Sequence, residues 1–149
     1  MNFKPFSKKQ LATLCWWGPA SPYRGKDAVI CDGAVRSGKS LCMFVSFITW
    51  AGCSFRNASF AICGRTASSV RRNLINPYLP VVKDLGIRCN YKLSQNKITV
   101  EMNGRVNTFW VFGGKDEASA SLIQGMTLAG VMFDEVALMP RSFVEQALA

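Results

Sequence analysis

Apolar residues occur in short runs separated by polar and glycine-containing segments in the first part of the chain. Residues 27–31 (DAVIC) and 60–64 (FAICG) have the length and composition of buried strands in a parallel sheet. Between them, the stretch after Ser40 (LCMFVSFITWAG) is long and apolar enough to form a buried helix. The pattern therefore predicts a strand, a helix and a second strand in that order.

The hydrophobic pattern changes over residues 87–112, where three β-rich segments follow one another. Polar residues separate them at positions 94–96 and 103–104. The second separator is Asn-Gly, which indicates a hairpin because both turn residues must tolerate positive φ. We therefore predict an antiparallel β-meander here, then a further buried strand at residues 130–133 and a short helix after Pro140.

The remaining segments are more polar and carry weaker patterns. Residues 1–26 are a lead-in rich in lysine, aromatic residues and proline, and they predict a short helix followed by a loop. Residues 67–84 predict a helix that Pro77 and Pro80 interrupt, and residues 113–130 form a polar connection. No internal repeat divides the chain, and its 149 residues predict a single domain over residues 1–149.

The segment between the first strand and the first long helix, GAVRSGKS, matches the pattern G-x-x-x-x-G-K-[ST]. In such a loop glycines let backbone N–H groups turn toward phosphates, the lysine neutralises the β/γ charge, and the hydroxyl reaches the metal. A helix that starts at the loop adds a dipole that favours anions. We therefore predict a phosphate-binding loop made of Gly33, Ala34, Val35, Arg36, Ser37, Gly38, Lys39 and Ser40.

An acidic pair follows the last predicted strand, in the sequence VMFDE. Because ligands bind at the carboxyl ends of parallel strands, this placement predicts a site. Asp134 would hold Mg²⁺ next to Ser40, and Glu135 would orient the attacking water. The chain contains no histidine, so a carboxylate is the natural general base. Together the two motifs predict binding of ATP with Mg²⁺ and cleavage of the terminal phosphate.

Phosphoryl transfer also needs a positive charge on the developing equatorial oxygens. Arg36 lies inside the loop and is the first candidate, and Arg65, after the second strand, is the next. Either arginine could instead be a surface cation. With Lys39 and Glu135, Arg36 completes the predicted catalytic set.

These elements and motifs together predict an α/β fold of the P-loop NTPase class. We expect the RecA-like arrangement, with a mainly parallel central sheet flanked by helices and an antiparallel meander around residues 87–112.

The composition indicates what kind of partner the chain binds and in which compartment it works. Hydrophobic residues make up 49% and charged residues 18%, as in globular chains, and the net charge of +9 with a pI near 9.6 suits a polyanion such as nucleic acid. The six cysteines include no C-x-x-C pair, which disfavours a zinc site and fits a reducing cytosol. The longest apolar stretch, residues 41–53, is too short to span a bilayer.

Three segments resemble the ATPase domain of tailed-phage terminase large subunits. They are the phosphate loop with an arginine inside it, CGRTASSVRRNLI at residues 63–75, and FGGKDEASASLIQGMTLAGVMFDEVALMP at residues 112–140. The resemblance extends from Phe6 to the end, and residues 113–140 are its most specific part.

The resemblance implies an ATP-driven motor that moves double-stranded DNA into a procapsid in the host bacterial cytoplasm. It also implies a homo-oligomeric ring, with the portal protein and the terminase small subunit as partners and no membrane. By the family's pattern, Gln10 would contact adenine. The family continues beyond the acidic pair with a coupling motif and a nuclease domain, whereas this sequence ends at Ala149. We therefore expect a partial ATPase domain without nuclease residues.

Two alternatives stay open at this point. Another RecA-like ATPase of the helicase type would share both nucleotide motifs but not residues 113–130. A nucleotide-binding interaction module would bind ATP without hydrolysing it on its own.

Overall fold

The computed structural model describes residues 4–34, 36–115 and 117–149, with only the backbone of Glu117. The helices of these residues are α1 (Lys8–Leu14), α2 (Lys39–Ser54), α3 (Ala67–Val70), α4 (Asn76–Asp84), α5 (Glu117–Gln124) and α6 (Arg141–Leu148). The strands are β1 (Ser59–Gly64), β2 (Arg88–Lys92), β3 (Lys97–Met102), β4 (Arg105–Gly113) and β5 (Gly130–Phe133). No described helix has the length and apolar character needed to cross a bilayer.

Within the described residues, the strands form one sheet in the order β2-β3-β4-β1-β5. The meander over β2, β3 and β4 is antiparallel, as predicted, and its hairpin turn has φ of 52° at Asn103 and 69° at Gly104. β1 pairs in parallel with both β4 and β5. The sheet is therefore mixed rather than mainly parallel, because the last strand of the meander is itself the parallel neighbour of β1.

Helices cover both faces of the sheet. Alternate residues of β1 point to opposite sides, so that Phe60 belongs to one buried cluster and Ala61 to another. On the first side α2 packs against the sheet, where the rings of Phe60 and Phe109 stack with centroids 4.9 Å apart and Phe47 meets both edge-on. On the second side α5 and α6 supply the cover. The sheet is therefore the middle of three layers.

The strand predicted at residues 27–31 is not formed, and this prediction was wrong. The segment has no regular secondary structure, and the side chains of Val29 and Ile30 are 38% and 91% exposed. A strand needs a neighbour for its backbone hydrogen bonds. β5 pairs only with β1 among the described residues, and no described strand lies beside residues 27–31.

The prolines of residues 67–84 do not interrupt the helical path, contrary to the prediction. A π-helical turn at Arg71–Ile75 links α3 to α4 without a break. Pro77 lies in the first turn of α4 and Pro80 inside it. The lost N–H of Pro80 is offset by the burial of neighbouring Leu79 and Val82. The connection at residues 113–130 also contains a helix, α5, that the sequence pattern did not indicate.

A buried amide joins α2 to the sheet. Asn107 on β4 is 1% exposed, and its Oδ1 accepts from the N–H of Ala58 at 3.0 Å. Its Nδ2 donates to the carbonyls of Ala51 and Phe55 at 3.2 and 3.1 Å. Because a buried amide is costly unless it is hydrogen-bonded, these three bonds fix the end of α2 against β4.

Asn107→Ala removes the partner of the Ala58 N–H and of the Phe55 carbonyl, both in half-buried residues, whereas Ala51 O keeps its bond from the N–H of Phe55. We expect the free energy of unfolding to fall by about 1–3 kcal/mol, measured by urea denaturation. The matched control is Asn90→Ala on the exposed face of β2, for which a change within about 0.5 kcal/mol is expected. Equal losses in the two variants would contradict this role of Asn107.

Candidate nucleotide site

The parallel strands β1, β4 and β5 all end at the same edge of the sheet. The chain continues the pairing just beyond the strands, where the N–H of Asp134 donates to Cys63 O at 2.8 Å and the N–H of Gly114 to Gly64 O at 2.7 Å. Lys115 N–H donates to Arg65 O at 3.2 Å. These bonds fix the positions of the residues that leave the edge, including the acidic pair.

The phosphate loop leads directly into α2, whose first residue is Lys39. Gly38 precedes the helix with φ of 78°, and a Cβ at this position would meet the amide nitrogen of Gln10 at 2.8 Å. Arg36 has φ of 63°. For a residue other than glycine this conformation costs on the order of 1–2 kcal/mol, which is typical of functional loops. Val35 lies outside the described residues.

Lys39 holds the loop together through two hydrogen bonds to the loop's own carbonyls. Its Nζ donates to the carbonyl oxygen of Gly33 and, at 3.0 Å, to that of Ala34. Ser37 N–H donates to Ala34 O at 3.3 Å and closes the turn. An arriving phosphate would have to replace the two carbonyls as the partners of the ammonium group.

Gln10 connects α1 to the same loop. Its Nε2 donates to Ser37 O at 2.9 Å, while its Oε1 accepts from the N–H of Ser7 at 2.8 Å. Ser7 Oγ in turn accepts from the N–H of Gln10, which makes a capping box at the start of α1. The predicted contact of Gln10 with adenine stays a prediction. Both ends of its amide already have partners within the chain.

The two acids have different surroundings. Asp134 is half-buried, and burial, with a smaller contribution from the charge of Glu135, raises the pKa of its carboxyl. Glu135 is exposed and has φ of 57°, the second strained residue among the predicted catalytic groups. A carboxylate that is partly desolvated beside another acid is stabilised by a cation.

The hydroxyl of Ser40 and the carboxylate of Asp134 are hard oxygen donors of the kind that Mg²⁺ prefers. Ser40 lies in the first turn of α2 and is half-buried, as is Asp134. The donor chemistry therefore fits a magnesium ion.

No hydrogen bond or ion pair between described residues joins the phosphate loop to the acidic pair. The loop is held by α1 and α2, whereas the acids are held by β5. The predicted strand at residues 27–31, which would have linked the loop to the sheet, is not formed. The two halves of the predicted site are therefore held in place by different secondary-structure elements.

Two residues near the candidate site, Ser7 and Lys115, were not predicted from the sequence. The spacing Ser-x-x-Gln at positions 7 and 10 is a capping-box pattern that could have identified Ser7. Lys115 lines a cavity of about 290 Å³ together with Arg65, apart from the phosphate loop. No local pattern could have indicated this neighbour, because it depends on the pairing of β1 with β4.

Comparison with solved structures finds close similarity to phage large terminases. Large terminase from a thermophilic bacteriophage matches 97% of this chain at 49% identity with a TM-score of 0.94. The structure of that protein in complex with ATP-gamma-S matches at 46% identity with a TM-score of 0.89. This chain spans 36% and 34% of the length of those two chains.

The ATPase domain of the Thermus phage P74-26 large terminase shares the fold at 18% identity, with a TM-score of 0.64 over 98% of this chain and 59% of its own. No protein-family model matches, and no curated protein does. Compared with the thermophilic-phage protein, nearly half of the positions are identical along almost the entire chain, with the same fold. The chain therefore belongs to the family of phage large terminases.

Proposed function

We propose that this chain is the ATPase domain of a DNA-packaging motor, of the RecA-like P-loop class, which binds Mg-ATP through residues 33–40 and hydrolyses it. The observation that carries the proposal is the loop itself, in which Lys39 binds the carbonyls of Gly33 and Ala34 and Gln10 holds Ser37. The structures of the thermophilic-phage relative with ADP and with ATP-gamma-S support nucleotide binding in such a chain.

The proposed chemistry assigns one task to each residue. Lys39 moves from its carbonyl partners to the β/γ-phosphates, and the N-terminal end of α2 contributes N–H groups. Ser40 and Asp134 would hold Mg²⁺, which neutralises phosphate charge when bound. Glu135 is exposed at the end of β5 and accepts a proton from the attacking water. Arg36, also exposed, stabilises charge on the transferred phosphoryl group.

The proposed assembly follows from the family. In it, a ring of such subunits acts on double-stranded DNA with the portal protein and the small subunit, in the host cytoplasm. The net charge of +9 supports a polyanionic substrate, because a motor must hold backbone phosphates without reading bases.

A second function is favoured by one observation. No hydrogen bond or ion pair between described residues joins the loop to the acidic pair, and residues 27–31 form no strand. Such a chain would bind nucleotide through the loop without bringing Glu135 to the terminal phosphate. It would then act as a nucleotide-binding module that hydrolyses ATP only within a larger assembly.

Lys39→Ala and Glu135→Gln test the proposal directly. Lys39→Ala removes the phosphate cation, and we expect ATP affinity by calorimetry to fall at least about tenfold. Glu135→Gln keeps the shape but not the base, so binding persists while phosphate release falls by about 10²-fold or more.

Lys26→Ala and Glu145→Gln, at exposed positions, are the matched controls. Unchanged ATP affinity in Lys39→Ala would refute the site. Wild-type chain that binds ATP but releases no phosphate, with or without long double-stranded DNA, would support the second function instead.

Gln10→Ala separates the two roles of the glutamine. Loss of its hydrogen bond to Ser37 loosens the loop, so we expect ATP and inorganic tripolyphosphate to bind roughly fivefold more weakly, the equivalent of one neutral hydrogen bond. Gln95→Ala, at an exposed turn, is the control. If Gln10 serves adenine alone, ATP binding weakens while tripolyphosphate binding does not change, and that outcome argues against the positioning role.

A further inference from the structure

A cavity of about 290 Å³ opens at the carboxyl edge of the sheet, where β1 and β4 end side by side. Its walls come from the turn after β1 and from the residues that follow β4, and they comprise Arg65, Thr66, Ala67, Gly113 and Lys115. The acidic pair lies one strand away, beyond β1, because Asp134 follows β5. None of the lining residues belongs to the phosphate loop.

Backbone contacts set the shape of this cavity. The N–H groups of Gly114 and Lys115 donate to the carbonyls of Gly64 and Arg65, so that the two chain segments leave the sheet together. Gly113 permits their close approach, since a Cβ there would meet the backbone of Thr66 and Ala67 at 2.8 Å. A capping box between Thr66 and Ser69 fixes the turn after β1. These contacts fix the backbone of the walls, and the long side chains of Arg65 and Lys115 are the parts that can adapt.

The described residues that line the cavity carry two positive charges and no negative charge. Arg65 and Lys115 are exposed, and neither makes an ion pair or a side-chain hydrogen bond with any residue in the described part of the chain. By contrast, the exposed arginines at 88 and 141 pair with Glu101 and Glu145. None of the five lining residues is acidic. The hydroxyl of Thr66 accepts from Ser69 N–H and retains its own hydrogen for donation.

We propose that this cavity binds a phosphate group of the backbone of double-stranded DNA. Arg65 offers a planar fork of donors and Lys115 a compact charge, a pair that suits a phosphodiester oxygen. Among the described lining residues, none has an aromatic ring or a side-chain amide that would read a base edge. The contact is therefore independent of sequence.

The inference rests on the proposed function only in that DNA supplies the phosphate. It also gives Arg65 a different task from the one its sequence position suggested, because this arginine contacts DNA rather than the transferred phosphoryl group. Hydrolysis and DNA contact would then meet at one edge of the sheet, with β1 between Lys115 on one side and Asp134 on the other.

The test uses the double variant Arg65→Gln/Lys115→Gln of the 149-residue chain. The matched control Lys83→Gln/Lys92→Gln removes the same charge at two exposed positions elsewhere. Affinity for a short labelled DNA duplex is measured by fluorescence anisotropy over a series of potassium chloride concentrations. Calorimetry with ATP and thermal unfolding are run on the same preparations.

We expect the cavity variant to bind duplex about tenfold more weakly than the control. Its plot of log affinity against log salt should have a negative slope that is shallower by about 0.9, the value expected when the chain neutralises one phosphate fewer. Duplexes of unrelated sequence should be bound equally weakly, and ATP affinity should not change. Arg65→Lys, which keeps the charge, should bind duplex more tightly than the double variant.

Three results would overturn the proposal. The first is a cavity variant whose salt slope and duplex affinity equal those of the control. The second is a cavity variant that binds ATP more weakly but binds duplex normally. The third is a wild-type chain that does not bind duplex. The second would assign the cavity to nucleotide. Failure of the proposed function is a separate result, seen as unchanged ATP affinity in Lys39→Ala.

Discussion

The parallel pairing of β1 with both β4 and β5 brings the polar groups that are proposed to act to one edge of the sheet. Parallel strands end at a common edge, and here the chain leaves that edge with Arg65, Lys115 and Asp134. Helices on both faces bury the sheet, so the edge is where polar side chains can be exposed next to a rigid scaffold. The order β4-β1-β5 then separates a cationic cavity from an acidic pair by a single strand.

The phosphate loop is anchored differently, through helices rather than through the sheet. Gln10 and the capping box of α1 hold Ser37, and α2 is fixed by its aromatic contacts and by Asn107. Lys39 donates to the loop's own carbonyls at Gly33 and Ala34, which ties the start of α2 to the start of the loop. Strained backbone at Arg36 and Glu135 marks the two places where chemistry is proposed.

Local patterns predicted most elements, because the helix after the loop, the strand at β1 and the Asn-Gly hairpin each depend on short-range preferences. The sequence also pointed to the family, which the solved structures confirm, whereas the roles of the two nucleotide motifs stay a prediction. Predictions from the sequence were wrong where contacts with distant segments decide which secondary structure forms. An apolar run at residues 27–31 is not a strand without a neighbour, and Pro80 does not end a helix that buries Leu79, Val81 and Val82. The cavity between Arg65 and Lys115 could not be predicted, since it exists only through the pairing of β1 with β4.

If residues 33–40 and the acidic pair form one nucleotide site, a bound nucleotide should protect both segments. Hydrogen–deuterium exchange of the chain with Mg²⁺ and a slowly hydrolysed ATP analogue measures this protection. We expect slower exchange both in peptides that cover residues 33–42 and in peptides that cover residues 131–138, with neither effect in Lys39→Ala. Slower exchange that appears elsewhere, or that persists when Lys39 is replaced, would contradict a single nucleotide site.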